Sequence, residues 1–415
     1  MRYCKRCVYP ENHPLGITFD EYGVCSGCRV HEEKDWLDWH ERREKLRSIL
    51  NQYKAHNRTV HDCIIPVSGA KDSYFIVHVA KNIFGMKPLL VNYNIHYNTP
   101  MGIRNLAYLR SLFGCDIIFQ TISPQKVKRI TRETIRLRGS IYWHCLAGQT
   151  VFPVQVAVKF KIPLIIWGAH QGVDQVGMFS HLDEVEMTRK YRKEHDLMGL
   201  EAEDLAEQSE LTLEELEPYI YPHDKEIESV GVRGIYLNNY IRWDSKAQHE
   251  QMIKEYGYEA THLQRTFDTY NHVDCFHYAG LHDYIKFLKW GYGKVSDHVS
   301  REIRLKRLTR EEGIELVKHY QYIIPKDTRL FLEWIGMNEG EFWSHIDRFR
   351  DSAIWERGES GWVLKDCVIN HIDDPGVDDV RLEKVETMKF YTHYRVKEPY
   401  EEEKYILFGR GWVER

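Results

Sequence analysis

One short segment of the sequence, residues 68–73, combines residue types that bind phosphate groups. It reads Ser-Gly-Ala-Lys-Asp-Ser. Ser68 and Ser73 can donate hydroxyl hydrogen bonds, and Lys71 can supply a cation to phosphate oxygens. Asp72 is unsuited to phosphate itself but can hold a Mg²⁺ that binds phosphate. The alternative is an ordinary Ser/Gly turn that caps a helix.

The elements around this segment favour phosphate binding. Residues 63–67 are a short apolar run that predicts a buried strand, and residues 74–84 predict a helix that stops at Gly85. A loop between a strand and a helix gathers backbone N–H groups at the positive end of the helix dipole, where anions bind. The segment is not a Walker loop, which needs Gly-x-x-x-x-Gly-Lys-Ser/Thr.

Apolar strands continue to alternate with helices after this segment. Strands are predicted at residues 89–91, 117–119 and 163–167, and helices at 104–113, 126–138 and 151–160. Continuous apolar strands separated by helices are typical of a parallel sheet that is covered on both faces. The predicted fold class is therefore α/β, a doubly wound parallel sheet with ligands at the carboxyl ends of its strands.

Composition divides the chain into four regions. Residues 1–30 are rich in Cys, Gly and Pro and predict a small module, and residues 31–57 predict an amphipathic linker helix. The α/β domain is assigned to residues 58–245, with a Glu-rich helical insertion at 178–228. The last region, 246–415, is predicted to be a mainly helical substrate or partner region that ends in a C-terminal extension. Its predicted helices are 279–290, 299–307, 310–320 and 342–349.

Four cysteines of the first module have the spacing of a metal site. Cys4-x2-Cys7 and Cys25-x2-Cys28 are two chelating pairs that can wrap one tetrahedral Zn²⁺. Because four protein ligands leave no open position, this zinc would be structural. An iron–sulfur cluster or two thiol redox pairs are the alternatives.

Overall composition indicates which partners and which cellular compartment to expect. Lys and Arg total 57 against 62 Asp and Glu, a net charge of −5, whereas a tRNA-binding enzyme usually has a basic excess. No apolar run approaches the roughly 20 residues that span a bilayer, and no signal-peptide-like stretch follows Met1. We therefore expect a cytoplasmic protein without a membrane partner. Nine cysteines, an odd number, do not indicate a disulfide framework.

Residues 68–73 resemble the Ser-Gly-Gly-x-Asp-Ser signature of the PP-loop ATP pyrophosphatases, with Ala70 in place of the second Gly. The resemblance implies that ATP is cleaved between its α and β phosphates with the help of Mg²⁺. It makes Lys71, Asp72 and Ser73 catalytic, and it makes all six residues, including Ser68 and Gly69, part of the nucleotide site.

The same resemblance implies roles for three residues that follow strands. Asn92 and Gly168, at the ends of the second and fourth strands, would contact the nucleotide. Asp174 lies about where related enzymes keep a metal-binding acid, so Asp72 and Asp174 are the candidate magnesium ligands. For Asn92 and Asp174, an ordinary polar loop residue is the alternative.

A four-cysteine module followed by this loop is similar to the N-acetyl sugar amidotransferases of bacterial surface-polysaccharide and flagellin-glycan synthesis. Further similar blocks cover most of the chain to about residue 365. They are residues 19–25, 98–102, 163–168, 234–244, 289–294, 297–298 and 308–312.

This family resemblance implies conversion of a sugar acetamido group into an acetamidino group, for lipopolysaccharide O-antigen or for pseudaminic or legionaminic acid. ATP would adenylate the acetamide oxygen, and ammonia would displace AMP. The implied substrate is an acetamido sugar or nucleotide sugar. No glutaminase triad is recognisable, so separate glutaminase and cyclase-like subunits are the expected partners. A tRNA-thiolating PP-loop enzyme and a non-catalytic nucleotide-sensing subunit are the alternatives.

A group of polar residues follows one predicted helix of the last region. Lys294, Asp297 and His298 lie near Arg301 and Arg304 in the sequence. They predict a basic lining for an acidic sugar, or alternatively a solvated helix face.

Single residues elsewhere have two possible interpretations each. His96 and His170 follow the second and fourth strands and are either ligand-binding or hydrogen-bonded loop histidines. Cys145 is either a nucleophile or a buried small apolar residue, and the second cysteine that the family leads us to expect near it is absent. The Glu-rich run at 201–217 is either a solvated helix or a partner-docking surface.

Overall fold

The computed structural model describes residues 1–56, 60–359 and 361–377. The predicted boundary at residues 57 and 58 and the C-terminal extension beyond residue 377 lie outside the described residues. The strands are β1 (Cys63–Pro66), β2 (Pro88–Tyr93), β3 (Ile117–Gln120), β4 (Leu164–Trp167), β5 (Arg233–Tyr236), β6 (Trp355–Gly358) and β7 (Gly361–Leu364).

The first five strands form one parallel sheet in the order β3-β2-β1-β4-β5, and β6 and β7 form an antiparallel pair. This confirms the predicted doubly wound α/β class. The order reverses at β1, where Ile64 lies opposite Leu89 of β2 on one side and Ile165 of β4 on the other. The crevice at such a reversal, beyond the carboxyl ends of the strands, is where open α/β sheets bind ligands.

Helices connect and cover the strands. They are α1 (Ser26–Glu33), α2 (Trp39–His56), α3 (Lys71–Val77), α4 (Pro100–Phe113), α5 (Pro124–Arg138), α6 (Trp143–Phe160), α7 (Gln171–Asp174), α8 (Arg189–Tyr191), α9 (Ala202–Gln208), α10 (Leu213–Leu216), α11 (Asp224–Val230), α12 (Ser245–Tyr256), α13 (Leu281–Trp290), α14 (Lys294–Arg304), α15 (Arg310–Tyr320), α16 (Thr328–Ile335) and α17 (Glu339–Asp347). Turns of π- or 3₁₀-helix occur at His78–Ile83, Arg192–Asp196, Glu217–Tyr219, Leu237–Asn239 and Val368–His371. Among the described residues, no helix is long and apolar enough to cross a membrane.

Both faces of the sheet are buried at its strands β1, β2 and β4, as the apolar runs predict, whereas Phe119 of the edge strand β3 is exposed. Ile64 packs into a core that includes residues of α5 and α6, whereas its neighbour Ile65 packs into a second core with residues of α2 and α3. Because successive side chains of a strand point to opposite faces, this division places helices on both sides of the sheet.

Three helices differ from the sequence prediction in ways that matter for the site. The predicted linker helix is two helices, and every residue of α1 is buried. The helix after β1 begins at Lys71 rather than at residue 74, so the loop and the helix share residues. Helix α6 begins at Trp143 rather than at residue 151 and therefore contains Cys145.

The four-cysteine module packs directly on the carboxyl edge of the sheet. The Ser26 hydroxyl at the start of α1 donates to the carbonyl oxygen of Val176, just beyond α7, at 2.6 Å. Gly177 has a φ of +65°, and a β-carbon there would lie 2.3 Å from the Ser26 carbonyl oxygen. This contact therefore requires glycine, and it joins the module to the segment that follows β4.

Candidate functional site

The segment between β1 and α3 is a loop closed by its own serines. The hydroxyl oxygen of Ser73 accepts the backbone N–H of Ser68 at 2.8 Å, and the hydroxyl oxygen of Ser68 accepts that of Ala70 at 3.1 Å. The conformation of Ala70 is extended, with a φ of −91°, so the alanine that replaces glycine in this signature causes no backbone strain. Residues 71–73 form the first turn of α3, where the Ser73 N–H donates to the Ala70 carbonyl oxygen at 3.2 Å. The positive end of a helix dipole at such a first turn favours an anion.

Lys71 and Asp72 place opposite charges at the start of α3. The Lys71 side chain is buried, and its Nζ donates to Asp72. The same ammonium lies 5.9 Å from the centre of the Tyr270 ring. The Asp72 side chain is 47% exposed, so its carboxylate is accessible to a metal ion at the mouth of the loop.

Residues far along the chain complete this loop, and no pattern in the sequence pointed to them. Burial raises the pKa of Asp274, a hydrogen bond from Ser68 opposes that shift, and the nearby charge of Asp72 adds to it. Asp274 is therefore in contact with the loop. The adjacent Tyr258 donates its hydroxyl to the carbonyl oxygen of Tyr270 at 3.0 Å and so holds the ring that faces Lys71.

A buried ion pair supports the same ring. Arg301 Nη2 donates to Asp268 Oδ2 at 2.8 Å, and Asp268 Oδ1 accepts the backbone N–H of Tyr270 at 3.0 Å. Burial would raise the pKa of Asp268, but His298, Arg301 and the N–H of Asn271 hold it well below its usual range. Asp268 therefore stays ionised and keeps this segment in place.

Asn92 and Gly168 lie at the strand ends where the sequence predicted them. The Asn92 amide donates to the carbonyl oxygen of Val67 at 2.8 Å and fixes the entry to the loop. A β-carbon on Gly168 would lie 3.2 Å from both Ile76 and Trp243, so glycine allows β4 to pack closely there. These contacts are structural, and the nucleotide contacts assigned to both residues stay predictions.

The two candidate magnesium ligands are held in different ion pairs. Asp174 Oδ1 accepts Lys34 Nζ at 2.5 Å, whereas Asp72 pairs with Lys71. Burial would raise the pKa of Asp174, but Lys34 keeps it below its usual value. The shared metal role of the two acids stays a prediction.

The four cysteines of the N-terminal module converge. The sulfur atoms of Cys4, Cys7, Cys25 and Cys28 all lie within 4.8 Å of one another, and those of Cys7 and Cys25 are 3.6 Å apart. Tetrahedral zinc with Zn–S bonds of about 2.3 Å needs sulfurs roughly 3.8 Å apart, so the thiols fit this ion. The backbone N–H groups of Arg6, Cys7 and Cys25 point at the Cys4 sulfur, as around a thiolate ligand.

Residues 250–367 match the family model described as LPS biosynthesis protein WbpG-like, C-terminal domain. This part of the chain, residues 250–367, is similar to that family and is called the WbpG-like domain below. This match confirms the predicted family resemblance over that part of the chain. The residues that pack against the loop at residues 68–73 all belong to the WbpG-like domain, which therefore closes this loop. They are Tyr258, Asp268, Tyr270, Asp274 and Arg301.

Two solved structures are similar to parts of this chain. The NH3-dependent NAD synthetase from Campylobacter jejuni, in complex with the nitrate ion, is 11% identical with a TM-score of 0.28, and the match covers 35% of this chain and 62% of that chain. The NMN synthetase from Francisella tularensis is 13% identical with a TM-score of 0.28, and that match covers 52% of this chain and 94% of that chain. None of the curated protein sequences matches this chain significantly.

Arg304 of the WbpG-like domain connects the cysteine cluster to the sheet. Its Nε lies 3.4 Å from the sulfur of Cys28, and its Nη2 lies 3.6 Å from the sulfur of Cys25. Its Nη1 donates to the carbonyl oxygen of Gln175, beyond α7, at 2.6 Å. The guanidinium thus offsets thiolate charge and binds the segment that follows β4.

The polar residues at the start of α14 do not form a solvated face. Asp297 is 9% exposed and His298 is 5% exposed. Asp297 accepts Lys286 Nζ at 2.8 Å and the Tyr9 hydroxyl at 3.1 Å, and Lys294 Nζ lies 3.6 Å away. The solvated-helix alternative is therefore wrong for the two buried residues, and the basic lining stays a prediction.

His170 and Cys145 have the environments of structural residues. His170 Nδ1 accepts the N–H of Gly172 and caps α7, and burial lowers the pKa of His170 to about 3. Cys145 is fully buried in α6, and burial raises the pKa of its thiol. His96 differs, because it has a φ of 64° and a buried Nε2 without a hydrogen bond among the described residues.

The Glu-rich run between β4 and β5 provides internal ion pairs and helix caps. Glu201 is buried and accepts Arg189 Nη2 at 2.8 Å and Arg192 Nη1 at 3.0 Å. Glu215 and Thr212 form a capping box at α10. Glu201 and Glu215 therefore both have partners within the chain.

Proposed function

We propose that this chain is an ATP-dependent amidotransferase that converts a sugar acetamido group into an acetamidino group during bacterial surface-glycan synthesis. The main support for this proposal is the contact between the loop at residues 68–73 and the WbpG-like domain. The loop at residues 68–73 lies between β1 and α3, a position that supports phosphate binding, and the WbpG-like domain brings Asp274 and Tyr270 against it. The family description supplies LPS biosynthesis as the setting.

The reaction follows from an ATP held by this loop. The acetamide oxygen attacks the α-phosphorus, the bond from that phosphorus to the bridging oxygen breaks, and pyrophosphate leaves. Ammonia then attacks the carbon of the adenylated imidate and loses a proton, and the bond from that carbon to the AMP oxygen breaks. The work of the protein is mainly to position these groups and to stabilise their charge.

Named residues take the roles that this chemistry needs. Lys71 offsets the charge that develops on pyrophosphate, and Ser73 and the first-turn N–H groups bind its oxygens. The accessible carboxylate of Asp72 would hold Mg²⁺, which supplies further charge to the phosphates. Asp174 would join it as a ligand only if its ion pair with Lys34 opened.

The ammonia would come from a separate glutaminase with a cyclase-like subunit, since free ammonia is scarce at neutral pH. The alternative, a tRNA-thiolating enzyme, fits less well. Such an enzyme needs an accessible sulfur nucleophile, whereas the Cys145 thiol is fully buried. The net charge of −5 also lacks the basic excess that tRNA binding favours.

The test is a product analysis on the full chain. The protein is incubated with ATP, a magnesium salt, an ammonium salt and acetamido nucleotide sugars, and AMP, pyrophosphate and the mass of the sugar are measured. We expect all three products, with the sugar mass changed by exchange of oxygen for NH. Lys71→Met should abolish formation of all three products without lowering the unfolding temperature. The control Lys87→Met, at an exposed lysine, should form the products as wild type does. AMP formed only with tRNA contradicts the sugar reaction.

A further inference from the structure

A cavity of about 390 Å³ lies where several parts of the chain meet. Its walls include residues 13–15 of the four-cysteine module, Gln175 beyond α7, Asp196 between β4 and β5, and Trp290 and Lys294 of the WbpG-like domain. Small-molecule sites have this size and occur preferentially where domains meet. Gln175 also places the cavity at the carboxyl edge of the sheet.

The cavity is lined by polar groups with free hydrogen-bonding capacity. No hydrogen bond from the described residues reaches the half-buried Asp196 carboxylate, and burial raises the pKa of Asp196 to about 7 although Arg192 opposes that shift. Burial lowers the pKa of the adjacent His195 to about 4, so its neutral ring offers one donor and one acceptor. His13 Nε2 and the Tyr292 hydroxyl are buried without a partner among the described residues.

Rings and balanced charges make up the rest of the lining. The rings of Tyr278 and His282 stack with centres 5.3 Å apart, close to Trp290. Lys286 and Lys294 both lie within 3.6 Å of Asp297, so their charges are largely offset. Flat rings beside a carboxylate, imidazoles and amides suit a hydroxylated sugar ring, which has an apolar face and hydroxyl groups at its rim.

His272 connects this cavity to the phosphate loop. Its ring centre lies 4.0 Å from that of Tyr278 in the cavity wall. Burial lowers the pKa of His272, and Lys294 on the cavity side and Lys71 on the loop side lower it further. His272 has a φ of 61°, an uncommon conformation for a residue that is not glycine. The ring of His272 thus packs on the cavity wall and lies within electrostatic range of Lys71 in the loop at residues 68–73.

We propose that this cavity binds the ring of the acetamido sugar. Asp196 and His195 hydrogen-bond to its hydroxyl groups, and residues 13–15 of the four-cysteine module form one wall. The identity of the ligand rests on the proposed function, whereas its location is a separate claim. The module then takes part in substrate binding in addition to holding a metal.

The experiment measures binding to the full chain by calorimetry, with N-acetylglucosamine, UDP-N-acetylglucosamine and ATP as separate probes. The titrations are run at about pH 8.5, where an Asp196 carboxyl with a pKa of about 7 is ionised. Asp196→Asn then removes a charged acceptor at nearly constant size, and Leu15→Trp fills the cavity. We expect Asp196→Asn to weaken binding of the two sugar probes by about tenfold or more, the size of a lost hydrogen bond to a charged group. Leu15→Trp should weaken it by at least as much because its ring occupies the space of the sugar, and both variants should leave ATP binding unchanged. The matched controls, Glu207→Gln and Leu213→Trp, are exposed and should bind as wild type does.

The outcomes separate the two proposals. Wild-type protein that binds neither sugar probe overturns the cavity assignment, and so do two folded cavity variants that bind both probes at full strength. An active amidotransferase whose KM for its sugar is unchanged in both variants keeps its function but binds the sugar elsewhere. Sugar binding that the variants lose, without any acetamidino product, supports the cavity and contradicts the proposed reaction.

Discussion

Gly69 lies so close to Gly102 that a β-carbon on Gly69 would stand 2.2 Å from the carbonyl oxygen of Gly102. A β-carbon on Gly102 would in turn stand 2.4 Å from the α-carbon of Asp274. The loop at residues 68–73, the first turn of α4 and the WbpG-like domain are therefore packed backbone to backbone at one point. The glycine at position 69 is needed for this contact, in addition to any approach of phosphate.

Gly69→Ala should displace the loop, because its methyl group collides with backbone that cannot rotate away. We expect a loss of about 1–3 kcal/mol in the free energy of unfolding, typical of overpacking, together with loss of AMP formation. Denaturant unfolding and AMP release measure the two effects. Ala70→Gly is the matched control, because Ala70 is extended and should change stability by less than about 1 kcal/mol. Full activity in Gly69→Ala would contradict this packing.

The sequence predicted correctly those strands and helices whose formation depends on residues close to one another in the chain. The apolar runs at 63–67 and 163–167 became β1 and β4 because strands buried on both faces need continuous apolar residues. The start of α6 was missed because Gly148 weakens the helical signal. In the structure a β-carbon on Gly148 would lie 2.3 Å from the Tyr93 ring, a tertiary contact that no local pattern contains.

The residues of the candidate site also fall into two groups, those that a local sequence pattern reveals and those that only long-range packing brings together. The loop at residues 68–73 and the four cysteines could be singled out because the chemistry that they suggest depends on short spacing within one segment. Asp274 and Tyr270 reach the loop only through long-range packing, as in the hydrogen bond from the Thr99 N–H to the Asp274 carbonyl oxygen at 3.0 Å. The ion pair of Asp174 with Lys34 likewise depends on how α1 packs against α7, which the sequence does not reveal.

Cys4→Ser should lose its metal and destabilise the edge of the sheet. Zinc binding by small Cys-rich peptides is worth about 10–16 kcal/mol, so the module has little reason to stay folded without the ion. Since α1 packs against residues 174–177, we expect a lower unfolding temperature for the whole chain. Elemental analysis and thermal unfolding check both effects, with Cys115→Ser, outside the cluster, as the control. A Cys4→Ser protein with full metal content would refute the four-ligand site.

Cys145→Ala should keep its catalytic activity. The thiol is fully buried against His144 and the carbonyl oxygen of Ile95, so its removal leaves a small cavity worth about 1 kcal/mol of stability. Steady-state AMP formation with the sugar substrate and denaturant unfolding are the measurements. Complete loss of turnover in a folded variant would assign Cys145 a covalent role and favour the sulfur-transfer alternative.

His170 makes the stability of the protein sensitive to acid. In the folded state its pKa is lowered to about 3 by burial, whereas an unfolded histidine titrates near 6.5. Between these values the unfolded state binds more protons, so the free energy of unfolding falls as the pH falls below 6.5. Lowering the pH from neutral to about 5 should reduce the free energy of unfolding by about 2 kcal/mol through this residue alone.

His170→Asn separates this titration from the cap at α7. Asparagine can accept the Gly172 N–H at the N-cap but does not titrate, so its acid-induced loss of stability should be about 2 kcal/mol smaller than that of wild type. Denaturant unfolding at about pH 7.5 and about pH 5 measures this difference. Loss of metal from the cysteines in acid affects both proteins alike and cancels in the comparison. The exposed His40→Asn should behave as wild type does, and an equal loss in His170→Asn would show that His170 is protonated in the folded protein.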